Sequence, residues 1–381
     1  MTIQSTQRNR TSIPIAQVEL TSGEIDAAVA VLRSGAIRQG KLCGQFEELF
    51  AELVGARHAV AVSSGTAALH LAWMALLEPG DEVLVPAFTF IATASAVVLA
   101  GGRPIFCDVD PETGMIDVAD ARGRLTPTTR GVAPVHLYGN VCDVAGVQEL
   151  AGEHDLHIVW DAAQAHGASV DGRDVGSFDD LVCYSFYPTK NMTTAEGGMI
   201  TTNDDELAGR LRLLRSHGQA DKYYHTLIGL NYRLTDLQAA IGLVQLNELS
   251  TWLAQRRANA RLLDGLLADI PSIHIPTAAS GVEHAYHQYT IRVDPACNIT
   301  RDELQAALQK QGVQTAVHYP RPLHQQPVFV DASGSVSLPA SEALAASVLS
   351  LPIHPAVADD DLHWIARSLR TAMRSSTQKG S

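Results

Sequence analysis

The chain has 381 residues, 46% hydrophobic and 18% charged. That is the mix of a packed protein of about two domains, and it excludes a disordered chain. Asp plus Glu number 41 against 28 Lys plus Arg, a net charge of −13, so no overall field draws the molecule to nucleic acid or to an anionic membrane.

The five cysteines lie 35 or more residues apart and form no CxxC pair, which excludes a zinc cluster or a disulfide framework. No apolar signal core opens the sequence, and no apolar run approaches the ~18 residues of a membrane helix. A cytoplasmic protein with no membrane or nucleic-acid partner is expected.

After about ten polar residues, helices are predicted over 22–33 and 43–54. In the second, Phe46, Leu49, Phe50 and Leu53 fall on one helical face. Between them, Gly35–Leu42 nearly matches the phosphate-loop pattern GxxxxGK[ST]. Leu42 stands where a hydroxyl must hold magnesium, and a helix precedes where a strand is needed. Short apolar runs follow at His58–Val62, Glu82–Pro86, Pro104–Val109, Gly131–His136, Leu156–Asp161 and Leu181–Ser185. Helical patterns over 66–77, 90–100, 143–154 and 204–215 separate them. Such runs describe strands buried on both faces, in a mostly parallel central sheet flanked by helices, which is an α/β architecture.

The alternation fades after about residue 235. Thr235 can cap a long helix with Asp236 in its first turn. Beyond it come a strand candidate, Tyr286–Val293, and helices over 301–311, near 341–350 and over 359–373. The expected division is a large α/β domain over 12–255 and a smaller C-terminal α+β domain over 256–381. His284 and His287 are three apart but lack a third ligand, so no metal is expected.

In an open α/β sheet, ligands sit beyond the C-terminal ends of the strands, and three unusually polar loops follow predicted strands there. Ser63-Ser64-Gly65-Thr66-Ala67-Ala68 leads into a helix. Its small residues let the backbone approach an anion at the helix N-terminus, although a plain N-capped turn has the same pattern. Asp161 ends an apolar strand, so its carboxylate needs a cationic or hydrogen-bonding partner, whether as a structural cap or as a functional group. Lys190 sits in Tyr187-Pro188-Thr189-Lys190-Asn191-Met192 beyond the strand Leu181–Ser185. A lysine desolvated there moves toward nucleophilic range, whereas a surface lysine does not. Gly197-Gly198 then permits a sharp return into Met199-Ile200-Thr201.

Taken together, the loops specify pyridoxal 5′-phosphate. That cofactor needs an anion cradle (Gly65, Thr66, Ala67), an aromatic plate (Phe88 or Phe90), a carboxylate for the pyridine nitrogen (Asp161) and a lysine for its aldehyde (Lys190).

The residues SSGTAALHLA, VPAFTFIATASAV, DAAQAHGA, SFYPTKNMTTAEGG and GLNYRLTDLQAA, with HYPRPLHQQPVF at 318–329, resemble the DegT-type (DegT/DnrJ/StrS) sugar aminotransferase family of fold-type I pyridoxal-phosphate enzymes. The likeness covers nearly the whole chain. It implies that Thr66, Ala67 and Ser185 bind the phosphate, Phe90 stacks on the ring, Gln164 approaches the ring hydroxyl and Asp161 keeps the pyridine nitrogen protonated. Lys190 would join the aldehyde and then move the substrate proton. Asn231 is similar to a residue that reaches the neighbouring subunit's phosphate, implying a homodimer with shared sites. Tyr187, Arg233, Tyr319 and His324 are the implied substrate contacts, Arg233 meeting the donor carboxylate or the substrate phosphates.

The implied reaction moves an amino group, with glutamate as donor, to a nucleotide-linked keto-deoxysugar. Tyr187 resembles members that act at C3, whereas TTAEGG resembles members that act at C4. Lys190 itself argues against the family's dehydratase branch, which carries histidine there. Two other readings stay open: a keto-cyclitol acceptor, and a non-catalytic regulator that keeps the cofactor. A nicotinamide dehydrogenase lacks its glycine fingerprint.

Overall fold

The computed structural model describes residues 12–270, 272–333 and 336–377. A seven-stranded sheet runs, edge to edge, His58–Val62, Gly198–Thr202, Leu181–Ser185, His157–Asp161, Thr129–Val132, Glu82–Pro86 and Arg103–Cys107. Six strands share one direction. Gly198–Thr202, the return after Gly197, is antiparallel to both of its neighbours.

Side chains alternate across these short apolar runs and are buried on both sides. In the first strand Val60 and Val62 pack with Leu71, Trp73 and Leu211, while Ala59 and Ala61 face Phe46, Phe50 and Tyr184. Two buried faces remove the need for polar alternation, which is why the runs read as continuous apolar segments. The strand expected over Gly131–His136 ends at Val132. Pro134 has no N–H to donate to a ladder, and the edge continues as one bridge from Val135 to Asp161.

The near-phosphate-loop at Gly35–Leu42 is a helix-to-helix connector. Gly35 ends the first helix at φ 71°, and the N-terminus of the next, Lys41–Val54, is held by Asp236. That carboxylate accepts the Gly40, Leu42 and Cys43 amides at 2.8, 3.3 and 3.0 Å. Thr235 caps its own helix through a capping box with Gln238.

The Asp236–Leu267 helix is continuous, so a boundary at 255/256 falls inside it. Its far half joins a second core around Tyr289, Ile291, Leu304, Leu349, Leu362 and Ile365. There Ile273–His274, Tyr289–Val293 and Val348–Leu351 form a small antiparallel sheet. The helix expected near 341–350 therefore stops at Ser347 and gives way to a strand. The apolar side chains of that strand are buried against a partner some sixty residues earlier. Among the described residues no helix is long and apolar enough to cross a membrane.

Candidate active site

The parallel pairing of Asp161 with Cys183 brings the ends of two neighbouring strands to one edge of the sheet. Lys190 follows on the loop beyond Ser185, its amide donated to the Tyr187 carbonyl at 2.9 Å. Asp161 is buried. One carboxylate oxygen accepts the Thr93 hydroxyl at 2.8 Å and the other the Ala163 amide at 3.1 Å.

Burial raises the Asp161 pKa, against the lowering pull of Thr93, Ala163 and the Lys190 charge. Burial likewise brings Lys190 down to about 8, opposed by the Asp161 carboxylate. Each group thus feels the other's charge, and neither is dispersed into water.

The loop after His58–Val62 approaches the same edge from the side. Gly65 opens the Gly65–Leu76 helix, and a Cβ on it would lie 2.6 Å from the Ser185 Cβ. Only glycine lets the two loops meet this closely. The Ala67 amide is donated to the Ser64 hydroxyl at 3.1 Å, so in this first turn the amides of Gly65 and Thr66 and the exposed Thr66 hydroxyl are left for an anion. The Ser185 hydroxyl accepts the Tyr187 amide at 3.4 Å.

Of the two candidate aromatic plates, Phe88 is buried in the core, while Phe90 is 53% exposed. The Phe90 ring lies 5.9 Å from that of Tyr319, so Phe90 is the one with a face to offer. Gln164 is fixed from both ends: its oxygen accepts the Tyr138 amide at 2.6 Å and its nitrogen donates to the Tyr319 hydroxyl at 3.1 Å.

The other expected substrate contacts are scattered. Tyr187 is 48% exposed. His324 is buried, with Nε2 3.2 Å from Glu342. Arg233 opens with Arg38, Gln39, Ser216 and His217 onto a separate cavity of about 440 Å³. Asn231 is exposed beside Tyr232, whose carbonyl accepts the Ser63 amide.

Thr93 and Tyr138 were not singled out from the sequence. Thr93 lies within the VPAFTFIATASAV block, but its bond to Asp161 depends on chain packing rather than on any local pattern.

These residues fit pyridoxal phosphate on structural grounds. A cradle that a Cβ would fill, an exposed ring, and a buried carboxylate beside a lysine of lowered pKa are its four requirements. When bound, the cofactor supplies an aldehyde for the amine and a ring that delocalises negative charge. With the cofactor in place, Asp161 would be the group to hold a proton on the ring nitrogen, and the Lys190 amine the group to move one.

Residues 19–370 match the DegT/DnrJ/EryC1/StrS aminotransferase family. The chain is 41% identical over 346 residues to a pleiotropic regulatory protein of Geobacillus stearothermophilus (89% of this chain, 91% of that one). It is also 41% identical over 325 residues to a UDP-N-acetyl-3-dehydro-alpha-D-glucosamine 3-aminotransferase of Acidithiobacillus ferrooxidans (85% and 86%). The crystal structure of S. venezuelae DesV in complex with a ketimine intermediate superposes with a TM-score of 0.90 at 38% identity, over 94% of this chain and 98% of that one. The chain belongs to the DegT/DnrJ/EryC1/StrS aminotransferase family, and it is an aminotransferase that works with pyridoxal 5′-phosphate.

Proposed function

We propose that this aminotransferase moves an amino group from glutamate to the keto carbon of a nucleotide-linked deoxy-sugar, in two half-reactions on one site. The observation that carries the reading is the buried Asp161 and the half-buried Lys190 beyond neighbouring strand ends, each shifting the other's pKa. In this reading Asp161 holds the proton of the ring nitrogen. Lys190 Nζ would take the proton from the donor's α-carbon and deliver it to the carbon of the cofactor's aldehyde group. Phe90 packs on the ring, Gln164 meets the ring hydroxyl, and Gly65, Thr66, Ala67 and Ser185 surround the phosphate.

Two features favour C3 of the sugar as the carbon that receives nitrogen: Tyr187, and the 3-aminotransferase named among the relatives. Tyr319 is the sugar contact best supported, since it sits between Gln164 and Phe90. His324, buried against Glu342, acts from behind that segment. The working unit is a homodimer in which Asn231 and Arg233 serve the neighbouring subunit's site. Its location is the cytoplasm, in keeping with five free cysteines, four of them buried.

The test loads the enzyme as its pyridoxamine form and adds 3-keto and 4-keto nucleotide sugars and keto-inositols one at a time. A nucleotide-linked 3-keto sugar is expected to return the spectrum of the aldehyde form in a single turnover. Return by a keto-inositol alone assigns a cyclitol acceptor. The regulatory relative supplies a rival reading, which gains if no keto compound changes the spectrum and glutamate does not either.

A further inference from the structure

Lys190 also borders a cavity of about 120 Å³ that the roles above leave without an occupant. Its polar wall beside Lys190 is Gln17, Thr189, Arg256, His287, Gln288, His318 and His354, and no carboxylate lines it. Arg256, His287 and His354 are buried.

Arg256 spends one amino nitrogen on the Tyr286 and His287 carbonyls, at 3.0 and 3.4 Å, and has no carboxylate partner among the described residues. Glu19 borders an adjoining cavity that Arg256 also lines, and its carboxylate accepts from the Gln17 amide at 2.7 Å. A buried cation without a counter-charge is costly, and buried polar groups are rarely left unpaired. Arg256 lines this space, which no carboxylate borders, so an anion seated there would supply the missing counter-charge.

The imidazoles do not supply the charge. Burial pushes His287 far down and His318 to about 4, with the Lys190 charge acting in the same direction. His354 is lowered by burial and by Arg256, against its bond to the Pro14 carbonyl and the Glu19 charge. The cations are therefore Arg256 and Lys190.

The space holds some eight times the ~15 Å³ of one water, too little for a nucleoside diphosphate and enough for a carboxylate with part of its chain. A donor whose α-hydrogen Lys190 removes must carry its α-carboxylate one bond from that carbon, hence beside Lys190.

We propose that this cavity is a carboxylate subsite, in which Arg256 rather than Arg233 seats the amino donor's α-carboxylate. The assignment rests on the aminotransferase reading, and its test separates the two. The cofactor-free protein is titrated with glutarate, an unreactive dicarboxylate, by calorimetry. The holoenzyme is mixed in stopped flow with L-glutamate or with isoglutamine, its α-amide.

Arg256→Gln is expected to weaken glutarate binding and raise the glutamate half-saturation on the order of 10- to 100-fold, the range for a buried charged hydrogen bond. It should also abolish the preference for glutamate over isoglutamine and leave the single turnover of the pyridoxamine form with keto-sugar unchanged. Arg256→Lys should restore part of the loss. Ala316→Leu, which fills the cavity and keeps the arginine, should raise the same half-saturation, and it replaces Arg256→Gln if that variant does not fold.

Unchanged glutamate half-saturation in both Arg256→Gln and Ala316→Leu overturns the subsite and leaves the aminotransferase reading standing. Glutarate binding that depends on Arg256, in a holoenzyme inert to every amino acid, upholds the subsite and sinks the glutamate reaction.

Discussion

A lysine amine attacks an aldehyde only when neutral, and an ordinary lysine near pKa ~10.4 is neutral in a few parts in ten thousand at pH 7. Burial moves Lys190 to about 8, which raises the neutral fraction to about a tenth. Because the folded pKa lies below the ordinary one, the reactive form gains as pH rises and saturates above about 8. Covalent capture of pyridoxal phosphate by the cofactor-free protein, trapped with borohydride, should follow that curve with an inflection near 8. A rise that continues toward pH 10 contradicts the desolvated lysine, and capture that persists in Lys190→Ala points to another residue. Asp161 opposes the shift by its charge. Asp161→Asn should therefore move the inflection lower while turnover falls on the order of a hundredfold or more, since the ring nitrogen loses its proton-holding partner.

At the scale of elements, the site depends on how closely two loops approach, and Gly65 is the tightest point of that approach. An alanine there places its Cβ 2.6 Å from the Ser185 Cβ, so the cradle must open. Gly65→Ala is expected to lower stability by about 1–3 kcal/mol and to weaken cofactor binding, measured by thermal melting and by cofactor titration. Ser185→Gly in the same chain should restore part of the stability, because it removes the atom that is struck. An unchanged melting point in the single variant means that the loops are not in contact.

Both loops were legible in the sequence, because each follows a short apolar run and turns on small residues. The central strands were legible for the same reason, being buried on both faces. What escaped depends on distant partners. Val348–Leu351 follows nine helical residues without a break, and pairing with the distant Tyr289–Val293 and with Ala316 makes it a strand. Thr93 reaches Asp161 across 68 residues. Arg256 did leave a trace: it interrupts the buried row Leu249, Leu253, Ala260, Leu263 and Leu267 on one helix face, and a charge on an apolar stripe asks for a partner.

At the scale of the whole molecule, Asn231 and Arg233 decide how many chains make a site. Within one chain Arg233 opens onto the cavity of Arg38 and His217, and no hydrogen bond among the described residues ties Asn231 to Thr66 or Ser185. Leu32 and Ile25 on the first helix, and Leu49 and Leu53 on the second, also stand half exposed. If sites are shared, each combines the Lys190 of one chain with the Asn231 of the other. Lys190→Ala and Asn231→Asp chains are each expected to be inactive as pure dimers, the second because its added charge repels the phosphate. Unfolded and refolded together in equal amounts, half of the dimers pair unlike chains. Each of those holds one site with both natural residues, so activity should recover to about a quarter of the wild-type level. Sites built within single chains leave the mixture as inactive as its parts, because every chain then carries a defect in its own site.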